Sequence, residues 1–260
     1  MTSAELLQSI RSLVAYHQSC GIEHYRRSPA LDAGLRRLAA VGVEPRTAAG
    51  DRTAVRATGM TPEARPSPAG ALTLAELAEE VACCRLCSLC QTRKVSTPGE
   101  GGANPDLLVV GDWLVSGPGG NSGSIFGEQQ DQMLYRMIAA MELQPAQVFV
   151  TNLIKCSVPV KVRPDADQIA ACLGYLTQQM ALLAPRVILT MGSAPTQTLL
   201  GSSRPLISVR GRFHTFRAGE GRQIPLMPTF HPSYLLKNPE MKQPTWNDLQ
   251  AVQKKITASL

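Results

Sequence analysis

The chain has 260 residues, enough for one sizeable domain with a smaller appendage. Its hydrophobic fraction of 44% is typical of a folded protein, and no apolar run approaches the length of a membrane span. The net charge of +6 permits binding to nucleic acid without indicating it strongly. Because the N-terminus lacks a basic segment followed by an apolar one, we expect no secretory signal and a cytoplasmic protein.

The first 70 residues predict a helix followed by a linker. Residues 1–25 begin with Thr2 and Glu5 at capping-box spacing and continue with apolar residues at helical intervals, so we expect an amphipathic N-terminal helix. Residues 26–70 are rich in Arg, Ala, Gly, Thr and Pro. This composition favours a flexible linker, and a docking segment for a protein partner is the alternative interpretation.

Residues 71–260 predict one α/β domain. Apolar runs such as "DLLVVG", "QVFVTN", "RVILTMG" and "IPLMPTF" alternate with segments of helical periodicity. Continuous apolar strands between helices favour a parallel sheet that is covered by helices on both faces. In such sheets ligands bind beyond the carboxyl ends of the strands, so we expect the site where the loops 111–120, 151–156 and 230–239 converge.

One stretch, residues 204–222, concentrates positive charge. It carries five arginines and one glutamate among apolar residues, and it is typical of a hairpin or edge strand. Arg210 and Arg212 in its centre are therefore candidate contacts to a DNA backbone.

The seven cysteines indicate a metal site more than a disulfide framework, given the expected compartment. Cys84 and Cys87 form a C-x2-C pair between Cys83 and Cys90, while Cys156 and Cys172 are separated by fifteen residues. A second C-x2-C knuckle, which a zinc ribbon needs, is missing. Spacing alone leaves an iron–sulfur cluster, zinc and buried free thiols all open. Cys20 has no partner pattern.

From residue 80 onward the chain resembles the family 4 uracil-DNA glycosylases, the iron–sulfur branch of that superfamily. The resemblance rests on "CRLCSLCQTRKVSTPGEG", "NPDLLVVGD", "VFVTNLIKC" with a cysteine fifteen residues on, "LAPRVILTMGS", "VRGRFH" and "FHPSYLLKNP" before "TWNDLQ". These motifs occur in the family's order, which makes a chance similarity improbable.

The resemblance implies a fold, a cofactor and a substrate. The fold would be a three-layer αβα sandwich with a mostly parallel four-stranded sheet, here with a helical N-terminal extension. A structural [4Fe–4S] cluster would be held by Cys84, Cys87, Cys156 and Cys172, and Cys90 or Cys83 could replace one of the close pair. The partner would be uracil-containing DNA, single- or double-stranded, bound by a monomer.

The family's site residues map onto matching positions. His231 would donate a hydrogen bond to a uracil carbonyl oxygen, Asn152 would read the amide edge of the base, and Phe126 would stack on it. Gly111 would let the backbone approach the base.

The same comparison implies how the protein would hold DNA around an everted base. Leu235 and Leu236 would wedge into the duplex in place of that base. Ser233 and Lys237, together with Arg210 and Arg212, would contact the DNA.

The loop "GDWLVSGPGG" departs from the family pattern Gly-Glu-Ala/Gly-Pro-Gly. Asp112 replaces the glutamate that positions water, and Trp113, Leu114 and Val115 replace small residues and proline. The loop also lacks the Gly-Lys-Ser/Thr ending of a Walker phosphate loop. Two functions follow: a glycosylase for uracil or a related deaminated base, with Asp112 and His231 as catalytic residues, or a catalytically impaired DNA-binding accessory protein of replication or repair.

Overall fold

A computed structural model describes residues 73–117 and 123–258. The expected N-terminal helix at 1–25 and the linker at 26–70 lie outside these ranges, as do residues 118–120 of the loop after the first central strand.

Helices and strands alternate along the domain as the sequence predicts. The helices are α1 Leu74–Cys83, α2 Leu89–Thr92, α3 Glu128–Ala140, α4 Ala166–Leu183, α5 Ser193–Leu200, α6 Leu206–Val209, α7 Pro232–Lys237 and α8 Lys242–Thr257. The strands are β1 Glu100–Gly101, β2 Leu107–Gly111, β3 Val115–Ser116, β4 Val148–Asn152, β5 Val158–Pro159, β6 Val187–Met191, β7 His214–Arg217 and β8 Gln223–Thr229.

Side-chain hydrogen bonds cap the N-termini of helices α1 and α4. Thr73 caps α1 by accepting a hydrogen bond from the Glu76 backbone N–H. Asp165 caps α4 in a reciprocal capping box with Gln168. α4 ends where Ala184 adopts a left-handed conformation. These caps satisfy backbone groups that would otherwise be left without partners at the helix ends.

The main sheet has six strands in the order β1-β4-β2-β6-β8-β7. The four central strands are parallel to one another, which confirms the expected parallel core. Two antiparallel edge strands, β1 and β7, widen it beyond the four strands expected. β7, in the arginine-rich stretch 204–222, is an edge strand, one of the two alternatives expected there; it pairs with β8 beyond the stretch, and Leu206–Val209 within the stretch is helix α6. A separate two-stranded ribbon pairs β3 with β5.

Helices cover both faces of the sheet and give three layers. Leu107 and Val109 of β2 face a core that includes residues of α3 and α8. Leu108 and Val110 face the opposite core, which includes residues of α4 and α5. Because β2 packs against helices on both sides, each of its residues is buried, which explains its continuous apolar run. In the described part of the chain, no helix is both long and apolar enough to cross a bilayer.

Candidate functional site

The carboxyl ends of β2 and β4 bring Gly111 and Asn152 side by side. The two residues are register partners in the parallel ladder. A Cβ atom at Gly111 would overlap the ring of Phe126 and lie 2.9 Å from Asn152 Oδ1. Gly111, Phe126 and Asn152 therefore meet as the motif comparison predicts, and glycine is required at 111 by this close approach.

Phe126 is held in place from the first turn of α3. The backbone N–H groups of Ile125 and Phe126 each donate to the Asp131 carboxylate at 2.9 Å. The Phe126 ring lies 4.8 Å from the His231 imidazole between centroids, at an interplanar angle of 49°. Asp131 was not singled out from the sequence, because its partners lie in an irregular loop that no local pattern marks.

His231 is the N-cap residue of α7, and its ring orientation is fixed. Its Nδ1 accepts hydrogen bonds from the Ser233 backbone N–H at 3.2 Å, and the Ser233 hydroxyl lies 2.8 Å away. Burial lowers the His231 pKa to about 4, so the ring is neutral at pH 7. Because Nδ1 accepts, the neutral ring carries its proton on Nε2, which is buried without a partner among the described residues.

Asn152 is equally constrained. Its Nδ2 donates to the Ile125 carbonyl at 2.5 Å, which fixes the orientation of the amide. Its Oδ1 is buried and has no hydrogen-bond partner within the described ranges. The side chain therefore offers one free acceptor beside Gly111 and Phe126.

The Asp112 carboxyl lies against Gly192, in the loop that follows β6. A Cβ atom at Gly192 would overlap Asp112 Oδ1, and that oxygen is buried without a partner in the part of the chain described. Burial raises the Asp112 pKa to about 7, and the positive charge of Arg163 acts in the opposite direction. Asp112 thus titrates near neutral pH.

A cavity of about 390 Å³ connects these groups, a size that suits a small ligand. Its walls include the Asp112 loop, the Phe126 side chain, the first turn of α3, and His231 with Ser233. Of the sequence-predicted residues, Asp112, Phe126 and His231 line the cavity directly, while Gly111 and Asn152 lie beneath the Phe126 ring.

The bulky residues of the divergent loop point in different directions. Leu114 is buried in the core. Trp113 lines the cavity and packs against a hydrophobic cluster that contains Cys156 and Cys172. Val115 lies at the cavity rim, where β3 pairs with β5. Trp113 and Val115 therefore form part of one wall of the cavity and leave its volume of about 390 Å³ open.

The residues expected to contact DNA divide into exposed and internal groups. Leu236 and Lys237 are exposed on α7, whereas Leu235 is fully buried in a cluster with Leu206, Val209 and Phe230 and is not available as a wedge. Ser233 is hydrogen-bonded to His231 Nδ1 through its backbone N–H and its hydroxyl group. Helical geometry explains the division, since neighbouring residues on a helix face different directions.

Arg210 belongs to an internal ion pair. Its Nη2 lies 2.6 Å from Asp248 Oδ2 and 2.5 Å from the Pro244 carbonyl, and the Thr229 hydroxyl donates to the same carboxylate. This pairing replaces the expected DNA contact, because the guanidinium is used inside the protein. Arg212 is exposed and donates to the Ser208 carbonyl at 3.3 Å.

Four cysteines converge from three parts of the chain. Cys156 and Cys172 lie in one buried cluster against which Cys87 packs, and Cys84 follows the end of α1. Cys84, Cys87 and Cys90 line a cavity of about 620 Å³ together with Arg93. Within the described ranges, no three His, Cys, Asp or Glu side chains are arranged to hold a single metal ion.

The surroundings of these thiols suit a sulfur-ligated cluster. Arg93 donates to Cys156 Sγ at 3.5 Å, and the backbone N–H groups of Lys155 and Leu86 donate to Cys172 Sγ at 3.3 Å and Cys84 Sγ at 3.5 Å. Burial raises the pKa of the Cys172 thiol to about 11, so without a metal this thiol is protonated at neutral pH. Soft donors with N–H groups directed at sulfur are typical of iron–sulfur ligation. Cys83 is exposed.

The buried Lys155 contacts both Asn152 in the candidate base pocket and Cys172 in the cysteine cluster. Lys155 is 1% exposed, and its Nζ donates to Thr151 Oγ1 at 2.6 Å, to the Asn152 carbonyl at 2.8 Å and to Gln179 Oε1 at 2.5 Å. Burial lowers its pKa to about 7, against the effect of Cys172. Lys155 lies in the motif "VFVTNLIKC", but the family resemblance implies no role for it.

Comparison with known proteins agrees with this geometry. Residues 98–250 match the model of the uracil DNA glycosylase superfamily. The type-4 uracil-DNA glycosylase of Saccharolobus solfataricus is 32% identical over 190 residues, covering 70% of this chain and 86% of that protein. The type-4 enzymes of Sulfurisphaera tokodaii and Pyrobaculum aerophilum are 31% and 30% identical, covering 69% and 68% of this chain and 83% and 92% of theirs. The chain therefore belongs to the uracil-DNA glycosylase superfamily and, within it, to the type-4 branch.

Proposed function

We propose that the protein is a DNA repair glycosylase that everts uracil, or a related deaminated base, and hydrolyses its N-glycosidic bond. The observation that carries the proposal is a set of three buried polar atoms that have no hydrogen-bond partner among residues 73–117 and 123–258: Asp112 Oδ1, Asn152 Oδ1 and His231 Nε2. Asn152 Oδ1 and the Phe126 ring both lie against Gly111, the His231 ring lies 4.8 Å from the Phe126 ring, and Asp112 lines the same cavity as Phe126 and His231. Because unpaired buried polar atoms are costly, such a set favours a site that a polar ligand completes.

Base recognition would rest on Asn152. Its Nδ2 donates to the Ile125 carbonyl, which orients the amide so that the acceptor atom Oδ1 lies beside Gly111. Uracil presents an N–H donor at position 3, whereas cytosine presents an acceptor there, and the fixed amide therefore favours uracil. The Phe126 ring would supply the stacking surface once the base enters.

Catalysis would divide between His231 and Asp112. As the bond between C1′ and N1 breaks, its electron pair passes to uracil, and His231 Nε2–H would donate to the carbonyl oxygen on which charge develops. Asp112, when ionised, would orient a water molecule whose oxygen bonds to C1′ and would accept its proton. The neutral state of His231 suits hydrogen-bond donation, and the pKa of Asp112 near 7 suits a base at physiological pH.

Cys84, Cys87, Cys156 and Cys172 would hold a [4Fe–4S] cluster. Their convergence and the N–H donors around their sulfur atoms support this assignment. The cluster would supply a structural cross-link, joining the end of α1, the loop after β4 and α4.

A second candidate, a non-catalytic DNA-binding protein, is favoured by one observation. The Phe126 ring packs directly over Gly111, where a base would have to enter, and Trp113 stands in the adjoining wall. In this case the fold and the cluster would be kept while the pocket stays closed.

A single-turnover excision assay distinguishes the two functions. It uses the full chain with uracil in single- and double-stranded DNA, beside a His231→Ala variant and a binding measurement on the same DNA. Excision that falls sharply in the variant supports the glycosylase. DNA binding without excision of any deaminated base supports the accessory protein, and excision unchanged in the variant contradicts the proposed mechanism.

A further inference from the structure

Three exposed valines lie on the ribbon formed by β3 and residues 158–163. Val115, Val160 and Val162 are 45%, 59% and 46% exposed. β3 and β5 pair in parallel, with Val115 opposite Val158, and the chain then turns through Lys161, where the Val162 N–H donates to the Pro159 carbonyl at 3.1 Å. Val115 therefore lies on the strand beside β5, and Val160 and Val162 lie in the turn that follows β5, so the ribbon presents partly exposed apolar side chains along its length.

This ribbon is continuous with the candidate base pocket. Val115 itself lines the pocket beside Asp112 and Trp113. The positive charge of Arg163 acts on Asp112, opposing the larger effect of burial on its pKa, so the last residue of the ribbon also lies near the pocket. Whatever occupies the ribbon is adjacent to a ligand in the pocket.

The charge of the ribbon indicates an anionic occupant. Lys161 and Arg163 are exposed between and beside the valines, and the sequence 157–164 contains no acidic residue. Lys94, which is exposed, donates to the Gly117 carbonyl at 3.3 Å just beyond β3 and adds a third positive charge. The nearest acid along the chain, Asp165, is engaged in capping α4.

We propose that this ribbon binds the DNA strand that flanks the everted nucleotide, an inference that rests on the proposed function. Lys161 and Arg163 would contact phosphates, and Val160 and Val162 would cover the sugar or base next to the vacated position. Alternating cations and small apolar side chains fit a nucleic-acid strand, in which charged phosphates alternate with apolar sugar and base surfaces.

The test measures binding of the full chain to a single-stranded oligonucleotide across a range of salt concentrations. In the Lys161→Gln/Arg163→Gln variant, the slope of log K against log salt should fall in magnitude by about 1.4, since each phosphate contact in a single strand contributes about 0.7. The Val160→Ser/Val162→Ser variant should keep the slope and bind about fivefold more weakly. These side chains are exposed, so both variants should melt at the wild-type temperature.

A matched control removes two exposed charges elsewhere. Lys254→Gln/Lys255→Gln on α8 makes the same change in net charge and should leave the slope within about 0.3 of wild type. Equal slopes in the ribbon variant and wild type, or an equal fall in the control, would overturn the proposal and leave the valines to a protein partner. The excision assay is read separately: a chain that shows the slope change without excising uracil keeps the ribbon and loses the proposed activity.

Discussion

At the scale of single residues, the site depends on side chains whose polar atoms are partly engaged by the protein and partly left open. Asn152 is the clearest case, because one end of its amide is held by the Ile125 carbonyl and the other has no partner in the described structure. The same division holds for His231, whose Nδ1 is engaged and whose Nε2 is open. Such residues are oriented before a ligand binds, which lowers the cost of binding it.

Replacing Asn152 by alanine should reduce kcat/KM for uracil excision by about 10- to 100-fold, the contribution of one or two hydrogen bonds to a buried base. Single-turnover kinetics on single-stranded DNA measures the effect. Asn104→Ala, in an exposed loop, is the matched control and should be neutral. Equal rates for Asn152→Ala and wild type would show that this amide does not read the base.

The titration of Asp112 predicts the pH dependence of excision. Since Asp112 has a pKa of about 7 and acts when ionised, the rate should rise about tenfold per unit up to pH 7 and level off above it. His231 stays neutral above a pH of about 4 and adds no inflection in this range. Asp112→Asn should be slower and flat with pH. A wild-type inflection that persists in Asp112→Asn would assign the titration to another group.

The raised pKa of Asp112 also predicts how the free energy of unfolding depends on pH. The folded state holds a proton on Asp112 up to about pH 7, whereas the unfolded chain releases it near the ordinary value of 3.8. The free energy of unfolding therefore decreases as the pH rises from about 3.8 to about 7, because only the unfolded chain releases this proton there. Thermal unfolding should show Asp112→Asn gaining stability over wild type at pH 8, with the difference narrowing toward pH 4. A difference that does not change with pH would contradict a buried, titrating carboxyl.

At the scale of elements, helix α7 carries out two tasks on its two sides. Leu235 is fully buried and Leu236 is 38% exposed. Leu235→Ala should lower the free energy of unfolding by about 2–5 kcal/mol, because it leaves a cavity in the core. Leu236→Ala should leave stability within about 0.5 kcal/mol and slow excision from double-stranded more than from single-stranded DNA, where no partner base must be displaced. Denaturation curves and paired excision assays measure both. An equal loss on both DNA forms would exclude a wedge at Leu236.

The central strands were predictable from sequence because each is marked by the apolar residues of its own segment. β2, β4 and β6 are buried along their whole length and β8 along most of it, as expected for predominantly apolar strands covered on both faces. The two-residue strands β1, β3 and β5 were not predictable, since each exists only through pairing with a distant segment. Together with β7, β1 makes the main sheet wider than the four strands expected, whereas β3 and β5 form the separate ribbon.

The site residues that lie in motifs shared with the family were predictable, whereas contacts between residues far apart in the sequence were not. His231, Asn152 and Phe126 converge as their motifs imply. The buried position of Leu235 could have been found from helical periodicity, whereas the ion pair of Arg210 with Asp248, 38 residues away, has no sequence signal. The network around Lys155 likewise reaches Gln179 across 24 residues, which no local pattern indicates.

At the scale of the whole molecule, the cysteines connect segments that are far apart in the chain. Cys84 follows α1, Cys87 precedes α2, Cys156 follows β4 and Cys172 lies within α4. Lys155 and Asn152 lie just before Cys156, so a cross-link at the thiols would also fix the segment that carries the amide proposed to read the base. The proposed cluster is thus expected to support both stability and the pocket.

Serine substitution of the four proposed ligands should therefore remove the cluster and weaken the fold. We expect wild-type protein purified without oxygen to be brown and to contain about four iron atoms per chain. Cys172→Ser and Cys156→Ser should lose iron and lower the melting temperature by about 5–15 °C, as removal of a long-range cross-link does. Cys83→Ser, at an exposed position, is the control and should retain both. Iron loss in Cys90→Ser but not in Cys87→Ser would move one ligand to Cys90, and an iron-free wild-type protein would refute the cluster.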